Sequence, residues 1–315
     1  MPCLEQPVGY RALQGMTVVA SNLAAVEAGI GFLRGDSPFL VLHGPSGWGK
    51  TQLVLGLEAE GAERGVRIKV RDAGNWVAAP NPADQNSGLV LEDLQGLARH
   101  PRLRHSCRLL LERRAKSRRP TLLVSTTEYC SAISRMLPSG FPSWQFVAIE
   151  QPSDQEKLVI VRALADKLQL RLADEVGTLI ARHLRGNGRS LIGALERLKL
   201  AKHDWSRPED VLLACGVLRA YWLGSGGWDA RDTVAEAVAS TCGGAQCEDS
   251  MNRTIAYFLL DELGLTEHEA ASFLKVRETV VYRWAAEVRK SLDDKMACCP
   301  VEACRNAIIS ALRAS

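Results

Sequence analysis

Thirteen residues hold the clearest chemistry in the chain: Phe39-Leu40-Val41-Leu42-His43-Gly44-Pro45-Ser46-Gly47-Trp48-Gly49-Lys50-Thr51. Gly44, Gly49, Lys50 and Thr51 have the spacing of a phosphate loop, Gly-x4-Gly-Lys-Thr. Glycines let a backbone turn tightly and aim its N–H groups at phosphate oxygens. The chain after the loop has helical character from Gln52, so a positive helix end would face the same anion. Gly44, Ser46, Gly47, Trp48, Gly49, Lys50, Thr51 and Gln52 are therefore the candidate nucleotide contacts. Lys50 would reach the outer phosphates and the Thr51 hydroxyl would hold Mg²⁺.

A second signal follows at Gly88-Leu89-Val90-Leu91-Glu92-Asp93. A buried parallel strand reads as an unbroken apolar run, and this one ends in two acids. Glu92 at such a strand end can hold Mg²⁺, while Asp93 polarises an attacking water. Together they are the candidate catalytic pair.

These residues need a sheet to carry them. The run Phe39–Leu42, the alternation Val66-Arg67-Ile68-Lys69-Val70, the run Gly88–Leu91, Thr121–Thr127 and Phe146–Ile149 read as strands. Helical stretches alternate with them, among them a helix after Ser21-Asn22 to about Leu33 and a basic helix from Pro101 to Ser117. The expected fold class is therefore α/β, a doubly wound parallel-sheet P-loop domain over residues 1–152. Ala79 to Ser87 reads as a loop.

From Ser153 the pattern is helical only. Residues 153–225 read as a helical lid (Asp154–Leu168, Asp174–His183, Arg189–Leu200) and a connector helix at about Glu209–Tyr221. Gly224-Ser225-Gly226-Gly227 is the linker candidate. Residues 226–315 read as an all-α domain of five helices: Ala230–Ser240, Asn252–Glu262, Glu267–Leu274, Glu278–Ser291 and Pro300–Leu312. Thr266 caps the third, and the turn Lys275-Val276-Arg277 sets it against the fourth in a helix-turn-helix layout. Arg253, Lys275, Arg277, Thr279, Tyr282 and Arg283, with Trp284 beside them, are the candidate DNA contacts.

Composition sets the outer limits. The chain has 315 residues, 46% hydrophobic and 24% charged, as soluble globular proteins do. No apolar run reaches the length of a membrane span and no signal-type segment stands out, so a cytoplasmic protein is expected. Nine scattered cysteines argue for reduced thiols; a zinc site from Cys242, Cys247, Cys298, Cys299 and Cys304 is a weaker reading, with idle thiols the stronger. The net charge of +3 is uneven: residues 1–204 hold 27 Lys/Arg against 20 Asp/Glu, residues 205–315 hold 12 against 16. The densest basic run, Arg99 to Arg119, is either a solvated helix face or a nucleic-acid surface.

With these motifs in place, the chain resembles the bacterial replication initiator family DnaA over residues about 17–292, without a counterpart of that family's N-terminal interaction domain. The resemblance rests on Val18-Val19-Ala20-Ser21-Asn22, Leu91-Glu92-Asp93-Leu94-Gln95, Val147-Ala148-Ile149-Glu150-Gln151-Pro152 and Asn187-Gly188-Arg189-Ser190-Leu191-Ile192-Gly193-Ala194-Leu195. It implies an AAA+ ATPase domain binding ATP or ADP with Mg²⁺, and a helix-turn-helix domain binding double-stranded DNA. It further implies that Val18, Val19 and Asn22 pack against adenine, and that Arg189 reaches the phosphates from the lid. Thr127, at the end of the fourth strand, joins the nucleotide set.

The departures from the family pattern carry expectations too. Glu92 stands where Asp is usual. Ser139-Gly140-Phe141 replaces the Ser-Arg-Phe of the arginine finger, and Arg135 is the nearest arginine, so hydrolysis is expected to be weak. Between the Val66–Val70 strand and Gly88 there is too little chain for the family's extra helices that steer filament formation and single-strand binding. Gln246-Cys247-Glu248-Asp249 replaces the basic minor-groove loop, and Arg277-Glu278-Thr279 is all that is left of the recognition signature. Three readings stay open: a divergent ATP-dependent replication initiator or regulator, with self-association or other replication proteins as further partners; a non-catalytic adaptor contacting the initiator or helicase; and an ATP-switched transcriptional regulator.

Overall fold

In the computed structural model the described residues are 13, 15–80, 87–98, 100–137, 144–222, 229–242, 248–293 and 301–314. The chain divides into two compact units, Met1–Glu156 and Lys157–Ser315.

In the first unit the elements run α1 (Ala20–Arg34), β1 (Phe39–Gly44), α2 (Lys50–Glu63), β2 (Ile68–Asp72), α3 (Ala73–Ala78), β3 (Gly88–Glu92), α4 (Leu94–Ala98), α5 (Pro101–Lys116), β4 (Thr121–Thr126), α6 (Cys130–Met136) and β5 (Gln145–Ala148). The five strands form one sheet in the order β2-β3-β4-β1-β5, and every pairing is parallel. Parallel strands joined by helices bury both faces, which is why β1 and β4 read as continuous apolar runs. One face carries Val41, Leu89, Leu91 and Leu123 against Trp76, Leu94, Leu97, Leu111, Ile133 and Met136 from α3–α6. α1 and α2 pack on β1, β2 and β5 and on each other. The sheet core is dry: Leu40, Val41, Leu42, Leu89, Val90, Leu91, Leu122 and Leu123 are all at most 1% exposed.

Three short helices, α3, α4 and α6, escape the sequence reading, because five to seven residues hold too little periodicity. α3 does leave a trace, as Asp72 caps it by accepting the Asn75 N–H at 2.8 Å. The second strand sits at Ile68–Asp72, two residues later than Val66–Val70. Val66 is 36% exposed, and the inward position belongs to Ile68 at 8%.

The second unit is all-helical: α7 (Asp154–Lys167, which starts just before the boundary), α8 (Asp174–His183), α9 (Gly188–Leu200), α10 (Asp210–Val217), α11 (Arg219–Trp222), α12 (Ala230–Cys242), α13 (Glu248–Tyr257), α14 (Glu267–Leu274), α15 (Glu278–Asp293) and α16 (Val301–Ala314). The connector expected as one helix breaks at Leu218. The helix expected over Asn252–Glu262 starts at Glu248 and loosens into a π turn over Phe258–Glu262. Gly216 explains the close passage beside that turn, because a Cβ there would lie 1.8 Å from the Leu263 carbonyl oxygen. Trp205, fully buried, donates its Nε1–H to the Leu198 carbonyl at 3.0 Å and ties the end of α9 to the next loop. No helix among the described residues is long and apolar enough to cross a membrane.

Candidate nucleotide and nucleic-acid sites

The phosphate-loop motif lies between β1 and α2. Gly44 is the last residue of β1 and lies in register with Thr126 of β4. Gly47 and Gly49 take φ of 80° and 93°, a region that only glycine enters at low cost. Gly49 is the N-cap of α2, so Lys50 and Thr51 occupy its first turn. The Lys50 ammonium folds over the loop and donates to the carbonyl oxygens of Gly44 and Pro45, both at 2.8 Å. Trp48 is 9% exposed and anchors the loop, while Ser46, Thr51 and Gln52 are exposed.

All parallel strands end on one edge of the sheet, the edge where α/β proteins bind ligands. Glu92 closes β3, half-buried, with exposed Asp93 just beyond at φ 56°. Gln95 donates its side-chain amide to the Asp93 carboxylate. Thr126 closes β4, and Thr127 follows it, exposed, in a short 3-10 turn. The topology thus brings Gly44–Thr51, Glu92, Asp93 and Thr127 to a common edge. Their oxygen-rich set suits Mg²⁺, which takes one or two carboxylates or hydroxyls and fills its shell with phosphate and water. Thr51 and Glu92 are the residues that would hold it.

Asn22 is held by its own turn. It is 6% exposed; its Oδ1 accepts the Val19 N–H at 2.9 Å and its Nδ2 donates to the Thr17 carbonyl at 3.0 Å. Its amide shapes the turn that presents Val18 and Val19. Glu156 fixes the same region from below, accepting the Ser21 N–H at 2.6 Å. Burial alone would raise the Glu156 carboxyl, but the amides of Ser153 and Ser21 and the Ser153 hydroxyl hold it below the usual value.

One residue escapes the sequence reading. His43, just before Gly44, has its Nδ1 buried without a hydrogen-bond partner. Burial, and then the Lys50 charge, push its pKa down, so it stays neutral under the loop. Ser125, its register partner on β4, likewise has a buried Oγ with no partner. The signal was a histidine closing an otherwise apolar strand.

Arg189 lies in the second unit, exposed in the first turn of α9, where its N–H is capped by Asn187 Oδ1 at 3.0 Å. The helix-turn-helix layout is present there as α14, a turn and α15. Thr266 and Glu269 close a reciprocal cap at the start of α14, and Lys275 ends it at φ 57°. Lys275, Arg277, Thr279, Tyr282 and Arg283 are all exposed. Much of the charge around α15 is already paired. Arg253 meets Glu287 at 3.0 Å, Arg283 faces the same carboxylate at 3.9 Å, and Arg289 meets Asp261 at 2.8 Å and lies over the Tyr282 ring.

Cys242 and Cys304 meet at 3.7 Å between sulfurs, both buried. No cluster of three or more metal-ligating residues occurs among the described residues. Cys3, Cys247, Cys298 and Cys299 lie outside them, as do the linker at 224–227, Arg99, Gln246 and the Ser139-Gly140-Phe141 segment. Arg135 is described, exposed, near the end of α6.

A parallel five-stranded sheet in this order, with a phosphate-loop motif after β1 and acids after β3, is the core of the AAA+ fold. No family model matches the chain. Among curated proteins it is similar to the chromosomal replication initiator protein DnaA of Bordetella pertussis, 29% identical over 176 residues, covering 50% of this chain and 38% of that protein. The DnaA of Burkholderia cenocepacia is 27% identical over 176 residues, covering 34% of its length. The aligned region thus spans well under half of these relatives. Among solved structures the chain resembles domain III of the Thermotoga maritima replication initiation protein DnaA (TM-score 0.55, 17% identity, 67% of this chain and 96% of that one). It also resembles a replication initiator DnaA bound to AMPPCP and single-stranded DNA (TM-score 0.54, 17% identity, 96% and 98%). AMPPCP-bound DnaA from Aquifex aeolicus follows (TM-score 0.52, 17% identity, 95% and 97%). The chain therefore has a DnaA-like AAA+ fold.

Proposed function

We propose that this protein binds ATP or ADP with Mg²⁺ at the phosphate loop, binds double-stranded DNA through its helix-turn-helix, and acts in the initiation of DNA replication or its control. The observation that carries the reading is the Lys50 ammonium, held by the Gly44 and Pro45 carbonyls at the head of α2. A triphosphate offers that ammonium a charge-assisted partner stronger than a neutral carbonyl. Thr51 and Glu92 would hold the metal, which would supply positive charge against that of the phosphates. Asp93 would orient the attacking water, and Thr127 would contact the outer phosphate. The resemblance assigns Arg189 to the phosphates as well. Turnover is expected to be slow for want of an arginine finger, and it falls further in Asp93→Asn. The test is nucleotide affinity and turnover for the wild type and Lys50→Ala. Submillimolar binding lost in the variant supports the reading; a wild-type chain that binds no nucleotide refutes it.

A second reading, an adaptor that contacts the initiator or helicase, draws on α15 itself. Glu278, Glu287 and Asp293 balance Arg283, Arg289 and Lys290, so the helix has no net charge. Duplex binding draws most of its strength from uncompensated cations. A mobility-shift assay on the full chain with origin, promoter and scrambled duplexes separates these readings and the ATP-switched transcription regulator. Sequence-selective binding that Arg277→Ala and Thr279→Ala weaken supports the helix-turn-helix; selectivity for promoters alone points to transcription.

A further inference from the structure

The largest excess of positive charge along the chain lies in the first unit, on α5 and the turn that follows it. Residues 101–119 hold eight arginines and lysines against one acid, Glu112. That acid is engaged by Arg108 at 3.2 Å. At 100° per residue, Arg113 and Lys116 fall on one outward stripe of the helix, with Arg108 on its flank. Cys107, Leu111, Arg114 and Ala115 occupy the opposite, buried face. The stripe does not stop with the helix. Arg118 turns the chain at φ 50°, and Arg118 and Arg119 are both exposed beyond the last turn.

The turn is rigid, and one buried residue makes it so. Arg114, 5% exposed, donates Nε–H to Thr121 Oγ1 and Nη2 hydrogens to the carbonyls of Ser87 and Pro120, each at 2.9 Å. It thereby bolts the end of α5 to the starts of β3 and β4. Exposed cations on a fixed platform lose little freedom on meeting a partner. A helix C-terminus favours positive charge, but that effect fades within one turn and accounts only for Arg113 and Lys116.

We propose that this face binds the phosphate backbone of double-stranded nucleic acid, independently of sequence and of the helix-turn-helix. Three features select that partner. Arginines dominate, and their planar forks suit phosphate. Arg108 to Lys116 spans about 12 Å at 1.5 Å per residue, enough for several phosphates of a duplex that carries a charge every ~1.7 Å. No Phe, Tyr or Trp lines the stripe and exposed His105 is its one ring, so successive bases of a single strand have little to stack on. Leu109, 43% exposed, is the one large apolar side chain there, too little to anchor a lipid surface.

The test uses the full chain, random-sequence 30-mer duplex and single strands, and salt titrations by fluorescence anisotropy. The triple variant Arg113→Gln, Lys116→Gln, Arg118→Gln is expected to weaken duplex binding at least tenfold at low salt. It should also flatten the log affinity–log salt slope by about 2–3, near 0.9 for each phosphate no longer neutralised. The charge-keeping variant Arg113→Lys, Arg118→Lys should retain the wild-type slope, and melting temperature and ATP affinity should not change in either. Arg277→Ala is the control for the other reading: it should alter sequence selectivity and leave the random-duplex slope alone. An unchanged slope in the triple variant overturns the proposal. So does a loss confined to single strands, or binding to phosphatidylserine vesicles without duplex binding.

Discussion

Gly44→Ala tests whether the loop hangs where the sheet places it. A Cβ at Gly44 would lie 2.3 Å from the Ile149 carbonyl oxygen and 3.3 Å from its Cβ. Real Cβ atoms essentially never come within 3.0 Å of another heavy atom, so the strands must part by nearly an ångström. β5 is the edge strand, four residues long, paired only with β1. Beyond it, the Ile149 N–H donates to the His43 carbonyl at 2.8 Å. Overpacking of this kind costs about 1–3 kcal/mol, and the strained terminal hydrogen bond about 1 kcal/mol more. The sum, about 2–4 kcal/mol, corresponds to a fall in melting temperature of roughly 5–15 °C for a unit of this size. Nucleotide affinity should fall with it, since Gly44 is both the strand end and an acceptor for Lys50. Differential scanning fluorimetry with and without ATP reads both. Gly49→Ala is the contrast: its Cβ would find the Met16 methyl at an ordinary 3.5 Å, leaving only the cost of φ 93°, about 1–2 kcal/mol. A Gly44→Ala protein that melts within a degree of the wild type and binds ATP equally well would refute this account of the loop.

Arg114→Met removes one donor each from the Ser87 and Pro120 carbonyls and the Thr121 hydroxyl, and a loss of about 2–5 kcal/mol is expected by urea denaturation. Gly216→Ala drives a methyl into the Leu263 carbonyl at 1.8 Å and should unfold the second unit several degrees earlier while ATP affinity is kept. His43 has a pKa below 6.5 in the fold, so the unfolded chain takes up a proton that the folded chain refuses. Stability therefore declines as pH falls through 6.5 and below, and His43→Gln should flatten that decline in melting curves between pH 7.5 and 5.5. Glu156 and Glu269, held below 4.5, lose their contribution only at lower pH and do not interfere. Burial pushes the Cys107 thiol up to about 12 and Cys215 higher still, so neither should react with a disulfide reagent at pH 8 until urea is added.

What could be read from the sequence follows from what leaves a periodic or spaced trace. The loop was legible because Gly44, Gly49, Lys50 and Thr51 must keep their spacing for any backbone cradle to form. The strand before it was legible because burial on both faces forbids polar residues at Leu40, Val41 and Leu42. The basic helix was placed within one residue of Pro101–Lys116, since Cys107, Leu111 and Arg114 return at helical intervals. Short α3, α4 and α6 were not legible, nor was the π turn at Phe258–Glu262. Those depend on neighbours far along the chain, as Gly216 and Leu263 show. The engaged amide of Asn22 was equally hidden, because a side chain that bonds to its own turn leaves no periodic trace in sequence.

Charge was the feature that sequence totals described least well. Residues 205–315 are acidic overall, yet the side chains around α15 are paired one against another, and the fold sets Glu287 against Arg253 and Arg283, and Asp261 against Arg289. Exposed ion pairs contribute about 0–1 kcal/mol each, so they can be exchanged for phosphates at small cost. A helix-turn-helix built this way would bind weakly and discriminate through Arg277, Thr279 and Tyr282, without the long-range pull of a basic surface. The α5 face has the opposite character: attraction without side chains placed to read a sequence. The two should therefore respond separately: removing the α5 cations should weaken binding to every duplex alike, removing Arg277 should weaken only the preference for one sequence, and a variant of either face that moves both readouts together would count against two separate contacts.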